Sequence, residues 1–461
     1  MQPLTDVVLV YPYFRPLRDR SPFRFPPLGL GYIASNLRNH GFSVKIVDCT
    51  FSSEDHALRA VRDLSPSIIG IYSMFSMRAP ALRLAKLLRD DCDLLVAGGP
   101  LPTLFPEDYI TAFDVVCVGE GEETMLELAQ TQLKNGDFSS VSGICRKPSK
   151  HSSISKEPLI RTSPRPPIPD LDTIALPARD LFDNVAYKKY YRKRFGREET
   201  SIITTRGCPF DCDFCSRPIF SNQFRARSAE NVVDELEQIS GLGYDWVWFS
   251  DDCFTLIPKR VLRICEGIKN RGLDLSWECL SRADSFDLEM GKEMKSAGCQ
   301  RVFFGIESGD DGILREMKKG ISVDQARQAV ETAVKAGLKA CGFFILGYPG
   351  ENDATILRTI RFATKLPLDY VSFSLPYPIP GTGLYEKVKG RLREEDWHYS
   401  PWRVIDHSLV YDAEFSEFKL KFGIAKATVQ NRIWKHTNRW GYTLLGRPFE
   451  ALTDFLFTKL D

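Results

Sequence analysis

Ser201-Ile-Ile-Thr-Thr-Arg-Gly-Cys208-Pro-Phe-Asp-Cys212-Asp-Phe-Cys215 is a short β-forming run that leads directly into three cysteines. A strand that breaks at a glycine sets the next residues in a loop at its carboxyl end, where barrels of alternating strands and helices gather their reactive groups. The cysteines are spaced C-x-x-x-C-x-x-C. Soft thiolates with no histidine beside them favour iron–sulfur chemistry, and three of them on a four-iron cluster leave one iron open to a small molecule. Structural zinc would take four ligands, yet after Cys215 the next cysteine is the distant Cys253, and no histidine intervenes before His398.

Outward from this loop, strand-like runs recur at Trp246 to Ser250, Leu275 to Cys279, Arg301 to Gly305, Gly342 to Leu346 and Tyr370 to Leu375. Helical stretches lie between them, such as Ala229 to Ile239 and Val323 to Ala336, the second stopped by Gly337. Six strand–helix units predict a partial (β/α)6 barrel over residues 201–396. From residue 397 to 461 the pattern turns helical and aromatic, with Trp397, Trp402, Trp434 and Trp440, and predicts a carboxy-terminal helical extension.

Upstream, Val7 to Tyr11, Val44 to Asp48, Ile68 to Ser73, Leu94 to Gly98 and Val115 to Gly119 alternate with helical stretches. The predicted fold class is therefore α/β, with a doubly wound, Rossmann-like domain over 1–145 whose ligand lies beyond the strands' carboxyl ends. Pro164, Pro166, Pro167, Pro169 and Pro177 mark residues 146–200 as a connecting segment.

Charge does not announce a partner. Lys and Arg total 61 against 60 Asp and Glu, without the basic patch of a nucleic-acid or membrane-surface binder. No apolar run approaches the roughly 20 residues of a membrane span, and no secretory leader is legible, so a cytoplasmic protein is expected. The other nine cysteines are scattered without pairing rhythm and are read as core residues.

Arg206-Gly-Cys-Pro-Phe-Asp-Cys-Asp-Phe-Cys215 resembles the signature of the radical S-adenosylmethionine superfamily, with Phe214 as the aromatic before the third cysteine. The resemblance implies that Cys208, Cys212 and Cys215 ligate a 4Fe-4S cluster whose open iron chelates S-adenosylmethionine. One electron from an external donor then cleaves the sulfonium to a 5′-deoxyadenosyl radical. It further implies that Asp251 and Asp252, after the second strand, hold the methionine amino group and that Arg282 pairs with its carboxylate. Glu307 and Ser308 would reach ribose or carboxylate, and backbone at Gly347 would approach adenine. The plainer reading of each is a polar loop residue or helix cap.

In the amino-terminal domain, Gly29-Leu-Gly31-Tyr-Ile-Ala34 matches a dinucleotide fingerprint, with Asp48 at a plausible distance, but a long loop separates it from the first strand. Pro26-Pro-Leu-Gly29, Gly98-Gly99-Pro100 and Gly119-Glu-Gly121-Glu122 are instead similar to the cobalamin-binding domains that precede many radical domains. That resemblance implies cobalamin held near Gly98, Gly99, Gly119, Glu120 and Gly121, with Ser73 bonding a side amide or the nucleotide tail. No Asp-x-His-x-x-Gly is present to place an imidazole beneath cobalt; His40 reads as a helix end, and Met74 to Arg78 is the segment expected near the metal.

Together these resemblances imply a cobalamin-dependent methyltransferase acting on an unactivated carbon of an organic substrate, or of a peptide or protein, in a site between the domains. The alternatives are a radical cyclase or carbon–carbon coupling enzyme on a tetrapyrrole or lipid, related to the anaerobic magnesium-protoporphyrin ester cyclases, and a non-catalytic cobalamin or iron–sulfur sensor. Arg403, Arg432, Lys435 and Arg439 in the extension either grip substrate or lay their stems on a packed helical surface.

Overall fold

The structure, a computed structural model, describes residues 5–14, 23–134, 136–147, 159–215, 222–393, 408–437 and 442–460. The chain divides into two compact units; the first runs to Ser201 and takes in Arg225–Arg227, and most of the remainder from Ile202 forms the second.

The first unit is built on a seven-stranded sheet in the order β2-β1-β3-β4-β5-β6-β7. Its strands are β1 (Thr5–Tyr11), β2 (Val44–Asp48), β3 (Pro66–Tyr72), β4 (Leu94–Gly98), β5 (Val115–Cys117), β6 (Ile144–Arg146) and β7 (Ile160–Arg161). Pairing is parallel from β2 through β5, and antiparallel where β6 and β7 complete the edge. Side chains alternate across the sheet. Val7 and Leu9 join α1 (Leu28–Asn39) and α4 (Glu122–Leu133) in one core, while Val8 and Val10 join α2 (Glu54–Asp63) and α3 (Arg78–Leu87) in the other. Helices on both faces bury both sides of every central strand, which is why those strands read as continuous apolar runs. The strand order reverses between β1 and β3, and their carboxyl ends open the crevice typical of this architecture.

The stretch read as a connecting segment contributes β7 and a helix, α5 (Asn184–Phe195), to this unit. Asp183 caps α5 by accepting from the Ala186 N–H, and Gly196, at φ 69°, ends it. A two-residue strand carries no periodicity, so β7 is invisible in the sequence.

The second unit carries a six-stranded sheet in the order β13-β12-β11-β10-β9-β8. These strands are β8 (Glu199–Ile202), β9 (Trp246–Phe249), β10 (Ser276–Ser281), β11 (Cys299–Glu307), β12 (Lys339–Ile345) and β13 (Tyr370–Ser374), and the pairs from β9 to β13 are parallel. Neighbours in sequence are neighbours in space, as in an opened barrel. The intervening helices are α6 (Ala229–Gly241), α7 (Pro258–Asn270), α8 (Leu288–Ser296), α9 (Asp311–Glu316), α10 (Val323–Lys335) and α11 (Asp353–Lys365). Reciprocal caps fix the starts of two of them, Ser322 with Gln325 for α10 and Asn352 with Thr355 for α11. Trp277, fully buried, donates its ring N–H to the Ala297 carbonyl at 2.7 Å, tying β10 to the end of α8.

After α12 (Gly383–Val388), two further helices, α13 (Glu417–His436) and α14 (Arg447–Lys459), pack on α11. Lys426 reaches Asp454 at 2.9 Å and Arg361 reaches Glu450 at 2.8 Å, so ion pairs fasten this extension. Arg432 is exposed, Lys435 bonds the Asp369 carbonyl, and Trp434 meets Tyr442 edge-on. Trp397, Trp402, Arg403, Arg439 and Trp440 lie outside the described residues. No described helix is long and apolar enough to cross a membrane.

Candidate active site

Among the described residues none of the twelve cysteines is in a disulfide, and eight of the nine outside the cluster motif are buried. Burial pushes Cys92, Cys117, Cys265 and Cys341 up to about 12, which disfavours the reactive thiolate there. Cys208, Cys212 and Cys215 differ in being only half-buried, on the loop that leaves β8. Among the described residues, no group of three His, Cys, Asp or Glu side chains stands arranged to hold a metal ion. The three thiols share a loop without forming a closed ligand set.

Cations surround this loop. Arg282, at the end of β10, is 6% exposed; it grips Asp284 with two bonds of 2.9 Å and donates to the Lys319 carbonyl at 2.9 Å. Its remaining nitrogen, Nη1, stands 3.8 Å from Cys212 Sγ, and the guanidinium lies 3.5 Å above the centre of the Phe210 ring. Lys319 is buried, bonds Glu307 Oε1 at 2.9 Å, and faces the Phe214 ring at 5.8 Å. Burial opposes charge on Lys319, but the Glu307 carboxylate and the nearby Cys212 outweigh it and raise its pKa. Glu307 sits at φ 70°, beside a register shift between β11 and β12.

The other residues singled out at strand ends divide by what they already touch. Asp251 is buried and accepts from the Thr204 N–H at 2.6 Å, the Thr205 N–H at 3.0 Å and the Thr204 hydroxyl. It therefore clasps the strand end that leads into the cysteine loop. Asp252, next along, is exposed. Ser308 is fully buried, contacts Thr359 Oγ1 at 3.1 Å and accepts from the Asp310 N–H at 3.2 Å. Gly347, at φ 87°, and Tyr348 both donate backbone N–H groups to Glu351 Oε2, at 2.6 and 3.0 Å. Burial pushes Glu351 up to about 8, and its second oxygen, Oε1, is buried without a hydrogen-bond partner.

In the first unit, the strand-end glycines form a small-residue rim. Gly99 has φ 112°, and a Cβ there would stand 2.6 Å from the Ser73 carbonyl, so only glycine fits. A Cβ on Gly98 would meet nothing nearer than 3.8 Å, and one on Gly119 nothing within 4 Å, while Gly121 packs against Ile33. Ser73 is paired with the Tyr109 hydroxyl at 2.6 Å, and Glu120 with Arg225 at 2.9 Å and the Ile168 N–H at 2.7 Å. The Met74 to Arg78 segment forms a helical turn, Phe75–Met77, in which the Ser76 hydroxyl is buried without a partner. His40 ends α1, its ring on the Asn36 carbonyl.

Gly29 and Gly31 belong to α1 rather than to a phosphate-binding turn, and Gly31 is small because a Cβ would press on Phe182 at 2.7 Å. Asp48 is occupied by the Thr50 and Tyr187 hydroxyls, both at 2.6 Å. The dinucleotide fingerprint is thus accounted for by helix packing. Sequence reading missed Lys319, Tyr109, Arg225 and Asp213, all of which acquire their importance from partners distant along the chain.

The residues present fit the groups that the motifs imply. Three half-buried soft donors on one strand-end loop, with guanidinium and ammonium groups beside them, suit an anionic iron–sulfur cluster. Open glycines and an unpartnered hydroxyl at strand ends suit a large ligand approaching backbone.

Residues 202–363 match the radical SAM superfamily, and residues 15–129 match the B12 binding domain. An uncharacterised methyltransferase of Pyrococcus horikoshii is 38% identical over 78% of this chain and 78% of its own length. Cytidylyl-2-hydroxyethylphosphonate methyltransferase of Streptomyces wedmorensis is 28% identical over 82% of this chain and 80% of its own. Anaerobic magnesium-protoporphyrin IX monomethyl ester cyclase of Rubrivivax gelatinosus is 24% identical over 95% and 81%. Among solved structures, the radical S-adenosylmethionine methyltransferase TsrM of Kitasatospora setae superposes with a TM-score of 0.71 at 20% identity, covering 83% of this chain and 76% of that one. The cobalamin-dependent radical enzyme OxsB superposes with a TM-score of 0.76 at 18% identity, over 98% and 72%. At these identities the solved structures speak to fold.

Proposed function

The chain belongs to the radical S-adenosylmethionine superfamily, in the branch with a B12-binding domain ahead of the radical domain, and we propose that it methylates an unactivated carbon of an organic or peptide substrate. The observation that carries this reading is the half-buried cysteine loop at the end of β8, flanked by Arg282 and Lys319, downstream of a doubly wound domain with open glycines at its strand ends. The relative from Pyrococcus horikoshii, named as a methyltransferase, supports methyl transfer over ring formation.

Cys208, Cys212 and Cys215 would hold three irons of the cluster. When bound, the cluster, S-adenosylmethionine and cobalamin supply electron transfer, hydrogen abstraction and a methyl carrier. The chain's own residues hold and orient. Arg282 and Lys319 place positive charge beside the loop that would carry the anionic cluster. Asp252, exposed where Asp251 is not, is the carboxylate free to meet an ammonium group. Glu351 keeps the Gly347–Tyr348 turn in place by accepting both of its N–H groups, where backbone would approach adenine. Gly98, Gly99, Gly119 and Gly121 would admit cobalamin to the strand ends of the first unit, and an external one-electron donor completes the system.

The test is to incubate the anaerobically reconstituted protein with cobalamin, S-adenosylmethionine and a low-potential reductant, and to quantify deoxyadenosine and S-adenosylhomocysteine by mass spectrometry. Both products are expected, with deoxyadenosine lost in Cys212→Ala. Deoxyadenosine alone would favour cyclisation or coupling, and neither product from cluster-loaded protein would reject an enzymatic role.

A further inference from the structure

Asp213 stands inside the cysteine motif, between Cys212 and Phe214, and only 4% of it is exposed. Its carboxylate accepts from the Tyr348 hydroxyl at 2.8 Å and pairs with Lys387 at 2.8 Å and Lys318 at 3.4 Å. Its backbone is fastened as well: the N–H donates to the Met317 carbonyl at 2.9 Å, and the carbonyl accepts from the Leu384 N–H at 2.8 Å. Gly383 belongs to the same arrangement, because a Cβ there would fall 1.8 Å from Asp213 Oδ1.

These partners come from three separate places: the turn after β12, the corner after α9, and α12. All three lie far from the motif along the chain. A ligand loop must keep its thiols at fixed separations, and a flexible loop would have to be ordered at the expense of cluster affinity. Asp213 supplies that order from within the motif, one residue from Cys212 and two from Cys215, which are half-buried like Cys208.

We propose that Asp213 is the positioning residue of the cysteine loop, fixing the relative placement of Cys212 and Cys215 through its bonds to Tyr348, Lys387 and Lys318. This rests on the reading of the three cysteines as cluster ligands. Charge and length both matter: asparagine can still accept from Tyr348 but cannot pair with the two ammonium groups, and glutamate is too long beside Gly383.

The test uses the full chain after anaerobic reconstitution, reading iron and sulfide content, the electron paramagnetic resonance spectrum of the reduced cluster, and circular dichroism of the apo-protein. For Asp213→Ala, cluster affinity should fall on the order of tenfold, as loss of an outer-shell partner does at metal sites, with apo-protein secondary structure unchanged. Asp213→Asn should recover part of the iron content and show a shifted resonance spectrum. Wild-type iron content and an unshifted spectrum in Asp213→Ala would overturn the proposal. Should that variant not fold, Tyr348→Phe combined with Lys387→Gln decides, since both lie outside the loop: reduced loading supports the proposal and full loading overturns it. Failure of the wild-type chain itself to bind iron would instead reject the cluster assignment.

Discussion

Lys319 Nζ and Glu307 Oε1 meet at 2.9 Å with both side chains at most 10% exposed, directly beside the ring of Phe214. A buried pair of this kind adds little net stability over an apolar isostere, but removing one partner leaves the other charge without compensation. Lys319→Met should therefore destabilise the fold by about 3–5 kcal/mol. The double variant Lys319→Met with Glu307→Gln should lose clearly less than the sum of the single changes, in urea unfolding of the apo-protein. Additive losses would mean that the pair is not coupled.

Glu351 gives the fold a pH dependence of unusual sign. Its folded-state pKa of about 8 lies above its ordinary 4.5, so between these values the folded chain keeps a proton that the unfolded chain releases. The contribution of Glu351 to stability is then fully present below pH 4.5 and falls as pH rises towards 8, by about a few kcal/mol for such a displacement. Glu351→Gln keeps an acceptor for the Gly347 and Tyr348 N–H groups and removes the titration. The variant should match the wild type near pH 5 and exceed it in unfolding free energy at pH 9. Parallel curves for the two proteins would contradict the assignment.

The range of each interaction decides whether the sequence discloses it. The central strands of the first sheet are buried on both faces, so Val7 to Tyr11 or Leu94 to Gly98 stand out as apolar runs, and local caps such as Ser322 with Gln325 mark helix starts. The cysteine spacing is local too. Asp213 reads as an ordinary polar residue within the motif until Tyr348 and Lys387 are brought against it from more than a hundred residues away. Lys319 is likewise one lysine among many until the corner after α9 turns it towards Glu307. Asp251 and Asp252 look equivalent in sequence, and only the fold separates a buried clasp from an exposed carboxylate.

That separation yields a third expectation. Asp251→Ala removes the acceptor for two backbone N–H groups and the Thr204 hydroxyl, and leaving buried donors unpaired costs about 1–3 kcal/mol each. Its melting temperature should drop by several degrees. Asp252→Ala, at an exposed position, should change stability by no more than about 0.5 kcal/mol, while weakening S-adenosylmethionine binding in equilibrium dialysis. Unchanged affinity in Asp252→Ala would remove it from the binding site.

The glycine rim permits the same division between fold and ligand. Gly99→Ala faces both φ 112° and a contact of 2.6 Å with the Ser73 carbonyl, so it should destabilise the first unit whether or not cobalamin is present. Gly98 closes β4, and a Cβ there meets only ordinary contact at 3.8 Å. Gly98→Val suits a strand end and should leave the melting temperature of the apo-protein within a few degrees of the wild type. If cobalamin fills the space beside it, that added side chain must compete with the corrin or its tail. Cobalamin affinity, read from retained visible absorbance after gel filtration, should then fall by about five- to a hundredfold, the range for overpacking of about 1–3 kcal/mol. Full retention by a stable Gly98→Val protein would place cobalamin away from this rim, because a ligand in contact with the Gly98 backbone cannot ignore an isopropyl group put in its way.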